Sequence, residues 1–145
     1  SLVVAGRRIG PALAARLEDA GSQPDQGSVI VVLAIDAPLD HRQLRRIAVR
    51  GAAGIARTGS YYGHGSGDIV VAFSTAERIP HVAVGTVQSR RCLVESELER
   101  IFRAAADVTE QAILDALFAA TTVTGFAGHT RIALTELAPD WASLG

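Results

Sequence analysis

Three side chains at two places in this chain have the types and spacing for acyl-transfer chemistry: Ser28, and the pair Ser66 and Asp68. The Gly27–Ser28 bond joins two unlike stretches. Polar, turn-forming Glu18-Asp19-Ala20-Gly21-Ser22-Gln23-Pro24-Asp25-Gln26 precedes it, and the apolar, β-branched run Val29-Ile30-Val31-Val32-Leu33-Ala34-Ile35 follows. A serine that opens a buried strand behind a loop suits self-cleavage. Breaking the bond gives Ser28 a free α-amine beside its hydroxyl, so that one residue holds nucleophile and base. The plain alternative is a loop ending in Gly27 and a strand beginning at Ser28, and Gly-Ser also occurs at 21, 59 and 65. Ser66 and Asp68 lie two residues apart at a strand entrance, where extended backbone puts both on one face. By themselves they fit an ordinary turn equally well.

Other chemistry finds less support. Gly63-His64-Gly65-Ser66-Gly67-Asp68 is glycine-rich, but it precedes a strand and has no Lys, whereas phosphate loops follow a strand and open a helix. His41, His64, His81 and His129 make no His-x-x-x-His or Glu-x-x-His pattern, so no metal is expected. No Gly-x-Ser-x-Gly elbow sits between a strand and a helix. Arg90 and Arg91 favour the thiolate of Cys92, but without a partnered His the cysteine reads as a bystander.

The elements that must position these residues follow from periodicity. Leu2-Val3-Val4-Ala5 reads as a short strand, Gly6-Arg7-Arg8 as a turn, and Pro11 with Leu13, Ala14 and Leu17 as a helix. Ser28 to Ile35 is apolar on both faces and predicts a central strand in a covered sheet. Asp40 caps a helix through about Arg57, with Leu44, Ile47, Ala48, Ala52 and Ile55 on its buried stripe and Arg42, Arg45, Arg46 and Arg50 on a solvated face. Gly51 and Gly54 in that helix imply close approach to a neighbour. Further strands are predicted at Ile69–Phe73, His81–Val84 and Arg131–Leu134. A helix carries Leu98, Ile101, Phe102 and Ala105, and Asp107 with Glu110 reads as a capping box opening a second helix to about Thr122. The pattern is mixed α and β, with helices on the faces of a sheet.

Bulk properties agree with a single folded unit. The chain has 145 residues, 48% of them hydrophobic, enough for one substantial core. A formal net charge of -1 gives no electrostatic case for nucleic acid. The single Cys excludes an internal disulfide framework, and no apolar run has membrane-spanning length. There is no Met, so the chain is read as other than a complete translation product; the expected location is cytoplasmic.

In order and spacing, several blocks resemble the L-aminopeptidase/D-amidase-esterase and β-peptidyl aminopeptidase family. They are Gly27-Ser28-Val29-Ile30-Val31-Val32, Asp36-Ala37-Pro38-Leu39, Arg57-Thr58-Gly59-Ser60, Gly65-Ser66-Gly67-Asp68-Ile69, Ala72-Phe73-Ser74-Thr75-Ala76 and Ala112-Ile113-Leu114-Asp115-Ala116-Leu117. The resemblance implies an αββα sandwich, no cofactor or metal, and self-cleavage at Gly27–Ser28 into α and β chains. Ser28 would then be the N-terminal nucleophile, with Ser66 and Asp68 supporting it. Some members have Glu where this chain has Asp68. Residues 1–27 would end the α-chain region and 28–145 form the β-chain region, together one incomplete structural domain. Most of the α chain, with the pocket and part of the oxyanion hole, would lie upstream. The implied substrates are peptides, amides or esters with a free amino end, and the implied assembly is a homo-oligomer of αβ units, with no nucleic-acid or membrane partner. Two alternatives stand beside this. An ornithine acetyltransferase-like acyl transferase would use threonine, against which Ser28 argues; a non-catalytic structural remnant would need no nucleophile.

Overall fold

The computed structural model describes residues 1–19, 27–82 and 85–145. Strands β1 (Val3–Val4) and β2 (Arg7–Arg8) form a hairpin whose turn residues, Ala5 and Gly6, have φ of 48° and 77°. Two positive φ values give the twist that a two-residue hairpin needs. Arg7 and Arg8, expected in a turn, are therefore the returning strand. Helix α1 (Gly10–Asp19) follows, with Pro11 in its first turn and Leu13 buried.

The unit that matters most runs from β3 (Ile30–Ile35) through α2 (His41–Arg57) to β4 (Ile69–Ser74). The two strands pair in parallel, Ile30 opposite Ile69 through Ile35 opposite Ser74. Helix α2 starts where predicted. Asp40 accepts a 2.7 Å bond from the Gln43 amide, and the Gln43 side chain accepts one back from the Asp40 amide, so two otherwise orphaned donors are satisfied.

Helix α3 (Leu98–Ala119) is one uninterrupted helix, which corrects the expected break at Asp107. No Gly or Pro stops it. Asp107 and Glu110 instead share a face and both meet Arg57 at the end of α2, at 2.5 and 3.3 Å. Helix α2 packs closely through its glycines, Gly54 against α3 and Gly51 against the sheet. A Cβ at Gly54 would lie 2.5 Å from the Ala106 carbonyl oxygen, and one at Gly51 would lie 2.9 Å from the Val70 side chain. The buried cluster of Leu33, Ile47, Leu98, Phe102 and Ala105 lies between this helix pair and the sheet. Arg46 and Arg50, expected to be solvated, lie over the Phe102 ring at 5.0 and 4.1 Å from its centroid.

The α2–α3 layer covers one face of the β3–β4 sheet. The other face presents Ile30, Val32, Ile69, Val71 and Phe73 to solvent, so within this chain the expected fully covered strand is covered on one side. A second cluster, of Val4, Ile9, Leu13 and Ala138, joins the N-terminal segment to the end of the chain. There β5 (Val123–Thr124) pairs with β6 (Thr130–Arg131), and α4 (Leu134–Leu137) begins where a strand was expected to continue. The polar stretch before Gly27 and the expected strand at His81–Val84 fall wholly or partly outside the described residues. Among the described residues no helix is long and apolar enough to cross a membrane.

Candidate active site

Parallel pairing brings the N-terminal ends of β3 and β4 side by side. The register that sets Ile30 against Ile69 carries back through a 3.0 Å bond from the Ile69 amide to the Val29 carbonyl. Val29 thus falls beside Asp68, and Ser28 beside Gly67. Residues distant in sequence become neighbours because a whole helix, α2, carries the chain back to the start of the sheet.

The contacts at this end form a small network. The Val29 amide donates to Asp68 Oδ1 at 3.1 Å, and the Ser66 hydroxyl donates to the same oxygen at 2.8 Å. The Gly67 amide donates to Ser28 Oγ at 3.0 Å. Asp68 Oδ2 is buried and has no hydrogen-bond partner among the described residues. A turn closed by a 2.9 Å bond from the Ser66 amide to the Gly63 carbonyl holds the glycine-rich loop against the strand entrance.

Ser28, Ser66 and Asp68, the three predicted site residues, therefore meet at one strand end. Ser66 and Asp68 touch directly, as their spacing predicts, and Ser28 joins them through the backbone of Val29 and Gly67. Ser28 itself lies two residues ahead of the ladder, which begins at Ile30, and it is exposed along with Gly27. It thus stands just before the sheet, not as the first residue of its strand.

Two residues escaped the sequence reading. Gly67 contributes a backbone N–H, and a Cβ there would stand 3.2 Å from Ser28 Oγ. Tyr62, at φ 55°, donates its phenol proton to the Ala52 carbonyl at 2.7 Å. Burial, and then the negative charge of Asp68, push that phenol above its ordinary pKa, so it stays a protonated donor. The only signal for Gly67 was its place between Ser66 and Asp68.

The remaining candidates lie elsewhere. Cys92 Sγ is 3.0 Å from Gln43 Oε1, beyond the C-terminal end of β3 and opposite the Ser28 end. Among the described residues no group of three His, Cys, Asp or Glu side chains could hold a metal. An apolar groove of about 530 Å³ runs between β3 and α3, lined by Leu33, Ile35, Ile101, Ala105 and Val108 among others. It lies away from the strand entrances and is not the Ser28 site.

Comparison with known proteins bears on the family and the fold. Residues 1–131 match the family described as Peptidase family S58. The chain is 43% identical over 141 residues to the beta-peptidyl aminopeptidase BapA of Sphingosinicella microcystinivorans, covering 89% of this chain and 36% of that protein. It superposes on the PH0078 protein of Pyrococcus horikoshii OT3 with a TM-score of 0.78 and 41% identity, covering 92% of this chain and 35% of that one. The L-aminopeptidase D-Ala-esterase/amidase of Ochrobactrum anthropi, a prototype for the serine aminopeptidases and a variant of the Ntn hydrolase fold, gives a TM-score of 0.79 at 31% identity, covering 99% of this chain and 40% of that one. The chain spans about a third of the length of the curated relative. With a mixed helix-and-strand fold, its sheet carrying helices on one face and superposing on these neighbours, and a family match over nearly all its length, the chain belongs to peptidase family S58.

Proposed function

We propose that the protein carrying this chain is a serine aminopeptidase that cuts itself at Gly27–Ser28 and then uses Ser28 as its N-terminal nucleophile. The observation that carries the reading is the strand-end network in which Ser28 Oγ, Ser66 and Asp68 are joined through Gly67 and Val29. In maturation, Ser28 Oγ attacks the Gly27 carbonyl carbon, the C–N bond breaks, and the nitrogen takes up a proton to become the Ser28 amine. Water then hydrolyses the Gly27 ester, leaving a carboxylate and restoring the hydroxyl.

In turnover, Ser28 Oγ attacks the acyl carbon of a substrate while its proton passes to the new α-amine and on to the leaving amine. Water releases the acyl group. Asp68 Oδ2, buried and without a donor among the described residues, is suited to accept from that ammonium, and Ser66 holds the carboxylate's other oxygen. No step calls for a metal or cofactor. The substrates are small peptides, amides or esters with a free amino end, with β-peptides favoured by likeness to the beta-peptidyl aminopeptidase. Residues 1–27 end the α chain, 28–145 form the β chain, and the upstream α region supplies pocket and oxyanion donors.

Intact mass and N-terminal sequencing of the full-length protein test this. A new chain beginning Ser28-Val29-Ile30 is expected, and Ser28→Ala is expected to leave the precursor whole. A parent that stays uncut through long incubation overturns the reading. Maturation without turnover of aminoacyl amides, β-peptides or D-amino acid esters would instead favour the structural remnant.

A further inference from the structure

We propose that Gly67 is a positioning residue for Ser28: its N–H holds the hydroxyl oxygen, and its missing side chain leaves the space that oxygen occupies. The inference rests on the reading of Ser28 as nucleophile. It begins from the exposure of Ser28 ahead of the β3 ladder, where sheet hydrogen bonds do not fix the side chain. A free serine there would sample three staggered χ1 wells. The Gly67 N–H, 3.0 Å from Oγ, selects among them.

The donor is itself held. Its two neighbours are tied to each other by the 2.8 Å bond from Ser66 Oγ to Asp68 Oδ1, and Asp68 is tied to the Val29 amide at 3.1 Å. Consecutive residues of one strand entrance thus grip consecutive residues of the other, Asp68 on Val29 and Gly67 on Ser28. With one lone pair engaged by Gly67, the hydroxyl keeps its proton and its second lone pair for base and acyl carbon.

Backbone conformation does not account for the glycine. Gly67 lies outside the left-handed region occupied by Gly6, Gly59, Gly85, Gly128 and Gly145, so an L-residue could adopt its φ. A Cβ, however, would stand 3.2 Å from Ser28 Oγ and 3.9 Å from Ser28 Cβ. What a side chain would disturb at 67 is therefore the nucleophile itself.

Two variants of the full-length protein test the proposal. Gly67→Ala keeps the N–H and adds the clash; exchanging the Gly67 amide nitrogen for an ester oxygen, by nonsense suppression with glycolic acid, removes the N–H and adds nothing. Loss of one neutral hydrogen bond slows self-cleavage by about 5- to 10-fold, and the alanine variant by about 10-fold or more. In matured enzyme assayed on an aminoacyl amide, kcat falls with KM held, and the thermal midpoint stays at the parental value. An ester variant that matures and turns over at the parental rate overturns the proposal, whatever the alanine variant does. So does a loss of rate that only tracks loss of folded protein. Ser28→Ala keeps the two readings apart: if it still matures, Ser28 is not the nucleophile, and if it stays whole while the ester variant is unaffected, only the role of Gly67 falls.

Discussion

Asp68 has two donors on one carboxylate oxygen and none, among the described residues, on the other. That asymmetry separates its structural role from its chemical one. Asp68→Ala strips the Ser66 hydroxyl and the Val29 amide of their acceptor and should destabilise the fold by about 1–3 kcal/mol. Asp68→Asn can keep both bonds on its carbonyl oxygen while removing the charge that would hold an ammonium. Its thermal midpoint should stay near the parent's while kcat of the matured enzyme, where that ammonium first exists, falls by about 10-fold or more. Parallel measurement of kcat after maturation and of unfolding checks both variants, and an Asn variant that turns over at the parental rate rules out a role for the charge. Ser28, Ser66 and Asp68 could be named as candidates from the sequence because side-chain chemistry is written in residue type. Gly67 was not, since a backbone N–H belongs to every non-proline residue and only placement makes one matter.

At the scale of elements, the α2–α3 contact reverses an ordinary helix rule. By propensity alone, Gly→Ala inside α2 stabilises by up to about 1 kcal/mol. At Gly54 the added methyl would stand 2.5 Å from the Ala106 carbonyl oxygen and 2.6 Å from Thr109 Cβ, so the α3 backbone must move. Gly54→Ala should therefore destabilise the protein by about 1–3 kcal/mol, as overpacking does. Chemical denaturation measures this, and a rise in stability would show that the helices can separate at no cost. The start and end of α2 were readable from Asp40, the apolar stripe and the glycines. The break at Asp107 was misread because an acidic pair at i, i+3 looks the same whether it caps a helix or faces an arginine on another one. Arg57 decided between the two.

Across the whole molecule, one charge cluster links the start of α2 to the segment that leads into α3. Glu95 accepts from Arg42 at 2.5 Å, from Gln43 at 3.1 Å and from Arg46. Those bonds, Arg42's first and then Gln43's, bring its pKa down to about 2 from the ordinary 4.5. A carboxyl whose folded pKa is depressed adds stability above its unfolded pKa and loses it as pH falls through the folded one. The contribution should thus be full above about pH 4.5 and vanish near pH 2, and salt should weaken it because the groups are half exposed. Comparing Glu95→Gln with the parent by thermal unfolding from pH 7 to pH 2 tests this. The two curves should converge at the acid end, and a constant gap would assign the effect to packing.

By itself the sequence determined the residue types able to do the chemistry, the helix that Asp40 begins, strands within Ser28–Ile35 and Ile69–Phe73, and the resemblance that the family match upholds. Those properties are local, or they follow an order along the chain. Tertiary structure decided which backbone amide meets Ser28, which oxygen of Asp68 takes both described donors, and that 98–119 is one helix. It also left Ile30, Val32, Ile69, Val71 and Phe73 facing solvent within this chain. The physical reason is register. Once α2 carries the chain back so that Ile30 stands opposite Ile69, Ser28 must fall beside Gly67, and no local pattern in either segment contains that distance.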